Sequence, residues 1–135
     1  MNRSIDANFF MRLESADRRF PILTRLHYDA QRPFEMTVTF RGITGETPVV
    51  WTFARDLMFD GRLHLVGLGD VRIWPIRVEQ STRVYLSLSS DSGECLVSAC
   101  ITHINMWCRR MSALVPPGTE HRHFDLDREV GLLLR

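Results

Sequence analysis

Residues 34–53 read FEMTVTFRGITGETPVVWTF. In an extended chain Phe34, Met36, Val38 and Phe40 fall on one side, and Glu35, Thr37, Thr39 and Arg41 on the other. A period of two marks a half-buried β-strand, because successive side chains point to opposite faces. GITGET is a turn rich in Gly and Thr. From Pro48 to Phe53 the alternation resumes, with Val49, Trp51 and Phe53 on one face. Two such runs with a short loop between them predict a β-hairpin, and so an antiparallel sheet.

The same period extends outward from this hairpin. Upstream, Phe9, Met11 and Leu13 alternate with Asn8, Phe10 and Arg12. Phe10 breaks the polarity of its own face, so that face is expected to be covered. Pro21 precedes a second run, Ile22 to Tyr28, and the segment DAQRP turns the chain. Downstream, Val71 to Trp74 makes a short strand that Pro75 is expected to stop. Val84, Leu86 and Leu88 alternate with Tyr85, Ser87 and Ser89, SDSGE turns tightly, and Cys95 to Ala99 pairs back. Between the two groups ARDLMFDG suits a short helical turn, with Gly61 in its C-terminal capping region. Seven mostly antiparallel strands are expected, as a sheet or an open barrel.

The period then changes. Ile101, Ile104, Cys108, Met111 and Val115 form one helical stripe, which Pro116-Pro117 ends. After the loop GTEHRHF, Asp125 or Asp127 is placed to cap a last short helix carrying Leu126, Val130, Leu133 and Leu134. Strands first and helices toward the C-terminus make the fold class α+β. With 135 residues the chain suits a single domain spanning 1–135.

Composition narrows the function classes. Hydrophobic residues make up 44% and charged residues 24%, the balance of a folded soluble domain. The formal net charge is +1, and basic residues are not gathered as nucleic-acid binding requires. All 17 basic residues are arginine, which reads as genome composition before it reads as chemistry. The start, MNRSIDANFFMRLE, lacks the apolar stretch of a secretory segment, and no run approaches a membrane span. A cytoplasmic protein with no direct membrane insertion is expected. Three cysteines, Cys95, Cys100 and Cys108, leave at least one unpaired, as befits reduced thiols.

No motif supports a reaction type. His121 and His123, flanked by Glu120, Asp125 and Asp127, are the best metal candidates, but no third or fourth ligand is evident elsewhere. Cys95 and Cys100 are separated by an odd number within a strand and so face opposite ways. No nucleophile elbow is present. Gly67-Leu68-Gly69 lacks the rest of a phosphate loop and reads as a bend before Asp70. Arg55 with Asp56, and Asp70 with Arg72, read as structural ion pairs. Trp51 and Trp74 read as core, and Trp107 either widens the helix's core face or meets another subunit. No catalytic, cofactor-binding or metal residue is assigned, and no cofactor is expected.

Five segments carry a family resemblance. They are LHYDAQRPFEMTVTF (26–40), WTFARDLMFDG (51–61), GLGDVRIWP (67–75), LSLSSDSGECL (86–96) and VPPGTEHRHFDLDREV (115–130). In this order they resemble the anchor segments of the SsgA-like proteins of sporulation and cell division, the last most closely those of the SsgB branch. The resemblance implies a fold similar to the Whirly fold and a homotrimer. It implies a non-enzymatic regulator of sporulation-specific septation in actinobacteria, located at division septa. The implied partners are the tubulin homologue FtsZ, other septal division proteins and SsgA-like paralogues. Control of septal peptidoglycan synthesis or autolysis is an alternative within the family. Single-stranded nucleic-acid binding is an alternative by fold analogy alone, although no nucleic acid is expected as a partner. Leu57, Met58 and Phe59 are more apolar than an exposed turn requires, so a partner or subunit is expected to cover them. With Trp107, His121 and His123 they are the candidate interaction residues.

Overall fold

The computed structural model describes residues 3–15, 17–42, 47–91 and 93–123. The chain runs β1 (Ser4–Glu14), β2 (Arg19–Asp29), β3 (Glu35–Phe40), β4 (Val49–Ala54), α1 (Arg55–Gly61), β5 (Val71–Val78), β6 (Ser81–Ser90), β7 (Gly93–Cys100), α2 (Ile101–Leu114) and α3 (Glu120–His123). Seven strands form one antiparallel sheet in the order β4-β3-β2-β1-β7-β6-β5. This is the α+β class expected from the alternation. The last helix expected at Leu126–Leu134 lies outside the described residues.

The hairpin at 34–53 pairs Met36 with Phe53, Val38 with Trp51 and Phe40 with Val49. Met36, Val38, Phe40 and Phe53 are buried as the alternation predicts, whereas Phe34, just before β3, and Val49, at the start of β4, are 54% and 52% exposed and Trp51 is half-buried. Ile22, Leu26 and Tyr28 of β2, and Val84, Leu86 and Leu88 of β6, face the same core. So does Val97 of β7.

Both prolines that were expected to bound strands lie inside them. Pro75 is in the middle of β5, which is the last strand of the sheet. A residue without an N–H is tolerated there because an edge strand has one side with no ladder to break. Pro21 lies in β2, paired with Arg12 of β1. Among the described residues the β2–β3 ladder spans Thr24–His27 and does not reach Pro21.

The two halves of the sheet meet narrowly. β1 pairs with β2 along its whole length, from Ser4 to Glu14. It pairs with β7 only through Arg12, Leu13 and Glu14. Helix α2 leaves β7 directly at Ile101 and lies beside the remainder of β1. There the rings of His103 and Phe9 stack at 4.8 Å. Arg110 Nη1 donates to the carbonyl of Asp6 at 2.8 Å, satisfying a backbone acceptor.

The stripe of α2 is wider than its sequence spacing implied. Ile104, Cys108 and Met111 are buried as expected, and Trp107 joins them at 1% exposure. Burial raises the Cys108 thiol pKa to about 11, which suits a neutral core side chain. Helix α1 closes against β5 in a different way from that expected. Gly61 is buried at the end of α1, and the cap is Arg62 in ordinary helical conformation. Glycine stands at 61 because a Cβ there would overlap the buried side chain of Ile73. Helix propensity alone predicts that Gly61→Ala stabilises the protein by about 1 kcal/mol. The packing predicts a net loss of about 1–3 kcal/mol, measurable by urea unfolding.

Candidate interaction surfaces

Arg55 begins α1 and has no exposed surface. Its guanidinium lies over the rings of Tyr28, at 5.2 Å, and Phe59, at 5.0 Å. Nη1 reaches the carbonyl of Met111 at 3.5 Å. Nη2 lies 3.1 Å from Glu120 Oε2. That approach is close enough for ion pairing but lacks hydrogen-bond alignment, and Nε finds no acceptor among the described residues. The two ring faces therefore supply much of what replaces hydration. The expected Arg55–Asp56 pair does not form: Asp56 is exposed, and the counter-charge comes from the far end of the chain. Asp70 and Arg72 are both exposed, and no ion pair joins them among the described residues.

Glu120 is 9% exposed at the first position of α3. Burial pushes its carboxyl upward, but hydrogen bonds from its own backbone and from Gly118, with the close approach and charge of the Arg55 guanidinium, outweigh this. The carboxyl is held below its ordinary value of 4.5. The Gly118 N–H donates to Oε1 at 2.7 Å. Tyr28 completes the cluster: its hydroxyl donates to the Pro33 carbonyl at 2.8 Å. Burial raises that phenol to about 12.

This cluster revises the reading of Leu57, Met58 and Phe59. Met58 is fully buried, and Leu57 and Phe59 are half-buried against the same core. The turn is apolar because it roofs Arg55 and packs inside its own chain, so Met58 offers nothing to a partner. Trp107 is likewise core and not a subunit contact. His121 is exposed and His123 half-buried on α3, a short helix where a loop was expected. Among the described residues no three His, Cys, Asp or Glu side chains gather as metal ligands. Asp125 and Asp127 lie outside them.

The exposed apolar groups are elsewhere. The loop after α1 carries Leu63, Leu65 and Leu68, the last 95% exposed. Gly67 holds the bend at φ 97, where a side chain would strike the Val71 carbonyl. On the sheet face opposite the helices Phe10 is 64% exposed, so no described residue of its own chain covers it. Trp74 lies on that open face, half-buried and stacked on Tyr85 at 5.9 Å with 13° between the planes. Strand parity could have shown this, because Ile73 is fully buried and its neighbour must point away.

The fold and these surfaces define a small α+β protein whose polar and apolar groups are displayed on one open sheet face and its flanking loop. The family model described as "Streptomyces sporulation and cell division protein, SsgA" matches residues 22–120, and the chain belongs to that family. It is 41% identical over 135 residues to the sporulation-specific cell division protein SsgB of Streptomyces coelicolor, covering 99% of this chain and 98% of that one. It is 38% identical over 133 residues to SsgB of Kineococcus radiotolerans, covering 96% and 79%. A crystal structure of an SsgA-like sporulation-specific cell division protein from Thermobifida fusca superposes with a TM-score of 0.86 at 32% identity, covering 98% of this chain and 96% of that one. A second solved structure is described by the statement that mutations in SsgB correlate to longitudinal cell division during sporulation of Streptomyces coelicolor. It superposes with a TM-score of 0.83 at 40% identity, covering 92% and 98%.

Two outcomes follow from the Arg55 cluster. Glu120→Ala leaves a buried guanidinium without its counter-charge, and an equilibrium unfolding curve is expected to show a loss of about 3–5 kcal/mol. Arg55→Met made in that background is expected to recover part of the loss. The Glu120 pKa is lower folded than unfolded, so the unfolded state binds more protons near and below 4.5. Its contribution is present above that pH and lost as pH falls through the folded value. Glu120→Gln should therefore flatten the acid limb of a stability–pH profile and leave the region above pH 7 parallel to the parent.

Proposed function

We propose that this chain is a non-enzymatic adaptor of sporulation-specific cell division that binds FtsZ and other septal division proteins, including its own paralogues. The observation that carries this is the 41% identity across nearly the whole of a sporulation-specific cell division protein. The sequence offers no nucleophile elbow, phosphate loop or ligand set around which to build a reaction. What the chain does present is surface. A homotrimer would present three copies of one surface to a filament that repeats another, and multivalency would then turn weak single contacts into a lasting association. The working place of such an adaptor is the cytoplasmic side of the division septum.

Co-sedimentation with polymerised FtsZ tests direct recruitment. The protein is expected to move into the pellet with polymer and to stay in solution with FtsZ held unpolymerised. Equal partition in both conditions removes FtsZ as the direct partner. A fluorescent fusion is expected to form ladders in sporulating hyphae, and diffuse signal would remove the septal role.

A further inference from the structure

The sheet face opposite the helices carries a built feature on strands β5, β6, β7 and β1. Ladder register places Trp74, Tyr85, Ser98 and Arg12 in one row across these four strands. The stacked Trp74 and Tyr85 rings divide two hollows. One, of about 310 Å³, is lined by Arg12, Arg19, Arg83, Ile76, Val78, Ser81 and Tyr85. The other, of about 510 Å³, is lined by Arg72, Trp74, His64, Leu65, Pro75 and Ser87.

The arginines of the first hollow are held in place from beneath. Ser98 is fully buried. Its hydroxyl donates to Glu14 Oε1 at 2.9 Å and accepts from Arg83 Nε at 3.0 Å, while Arg83 Nη2 donates to the Ser98 carbonyl at 3.1 Å. Arg12 Nε donates to Glu14 Oε1 at 2.7 Å, and its Nη2 donates to the Tyr85 hydroxyl at 3.4 Å. Arg19 Nε lies 3.2 Å from Glu14 Oε2. One carboxylate thus organises three guanidinium groups, and Arg72 in the other hollow adds a fourth cation. The cluster carries an excess of positive charge in a chain whose formal net charge is only +1. Preorganised guanidinium forks with unused donors recognise carboxylates in the plane of the fork.

The rest of the lining distinguishes between anionic partners. Ile76, Val78 and Leu65 are 40%, 64% and 65% exposed and give the hollows apolar walls. Such walls suit aliphatic or aromatic side chains more than phosphates. The Trp74 and Tyr85 rings stack on each other, whereas a platform for bases offers its ring faces to the bases. We propose that this face docks an acidic peptide segment of a partner protein, whose carboxylates meet Arg12, Arg83 and Arg72 and whose apolar side chains enter the hollows on either side of the Trp74–Tyr85 pair. The inference rests on the reading of the chain as a binding protein and specifies the chemistry of what it binds.

The test is selection of random 12-residue peptides displayed on phage against the full chain. The expected pool is enriched in Asp and Glu interspersed with aromatic and aliphatic residues. A fluorescein-labelled peptide from that pool should bind about tenfold more weakly to Arg72→Gln and to Arg83→Gln, and should lose affinity as salt rises. Because Arg83 braces Ser98, the exposed Arg72 provides the variant that leaves the bonded network intact, and thermal unfolding checks that each is folded. Arg109→Gln, on exposed α2 surface, should bind as the parent does. A pool without acidic enrichment, or binding indifferent to Arg72→Gln and Arg83→Gln, overturns the proposal. So does oligothymidylate binding that depends on the same arginines, which would assign the face to nucleic acid. The selection contains no FtsZ and no septum, so its failure leaves the co-sedimentation result standing, and the reverse holds equally.

Discussion

A guanidinium sealed from water is a demanding thing to fold around, and Arg55 imposes its demand on three separate parts of the chain. It needs Tyr28 from β2 below and Phe59 from its own helix above. It needs a carboxylate, which Glu120 delivers only after α2 has been laid down and the chain has turned at Pro116–Gly118. An uncompensated charge at that depth is costly. The arrangement therefore favours the one state in which strand, helix and C-terminal turn are all in place. The aliphatic core supplies the bulk of the driving force.

That selection matters because the sheet is weakly joined at its centre. Three residues of β1 hold the two halves together through β7. Where the ladder stops, α2 takes over with the His103–Phe9 stack, the Arg110 bond to Asp6 and the buried Trp107. The helix thus substitutes for missing backbone pairing along most of β1. The same geometry commits the helices to one face and leaves the other, with Trp74, Tyr85 and their surrounding arginines, open among the described residues.

Local chemistry made much of this legible. Alternation at Met36–Phe40 and Val84–Leu88, and the stripe Ile104–Cys108–Met111, report burial directly because each side chain's environment follows from its own strand or helix period. What could not be read depends on neighbours distant in sequence. Pro75 looked like a stop because nothing in its vicinity says that β5 is the sheet's edge. Leu57–Phe59 looked like a partner's footprint because the charge beneath it finds its counter-ion in α3. Trp74 reads as core from its apolar neighbours, and the burial of Ile73 shows that alternation places it on the other face. The Arg12–Glu14–Ser98–Arg83 lattice required knowing that β1 and β6 both flank β7, which no local pattern encodes.

Pro75 has a further effect through its place at the margin of the sheet. A strand with bare amides and carbonyls along one side is a template for another molecule's strand. Here Val66 already exchanges two hydrogen bonds with Ile73, at 2.9 and 3.0 Å, and the proline two residues on has no amide to offer. The flank of β5 is thereby made a poor surface on which to grow a continuous intermolecular ribbon. Copies of the chain can then lie close together without fusing along this edge into an aggregate.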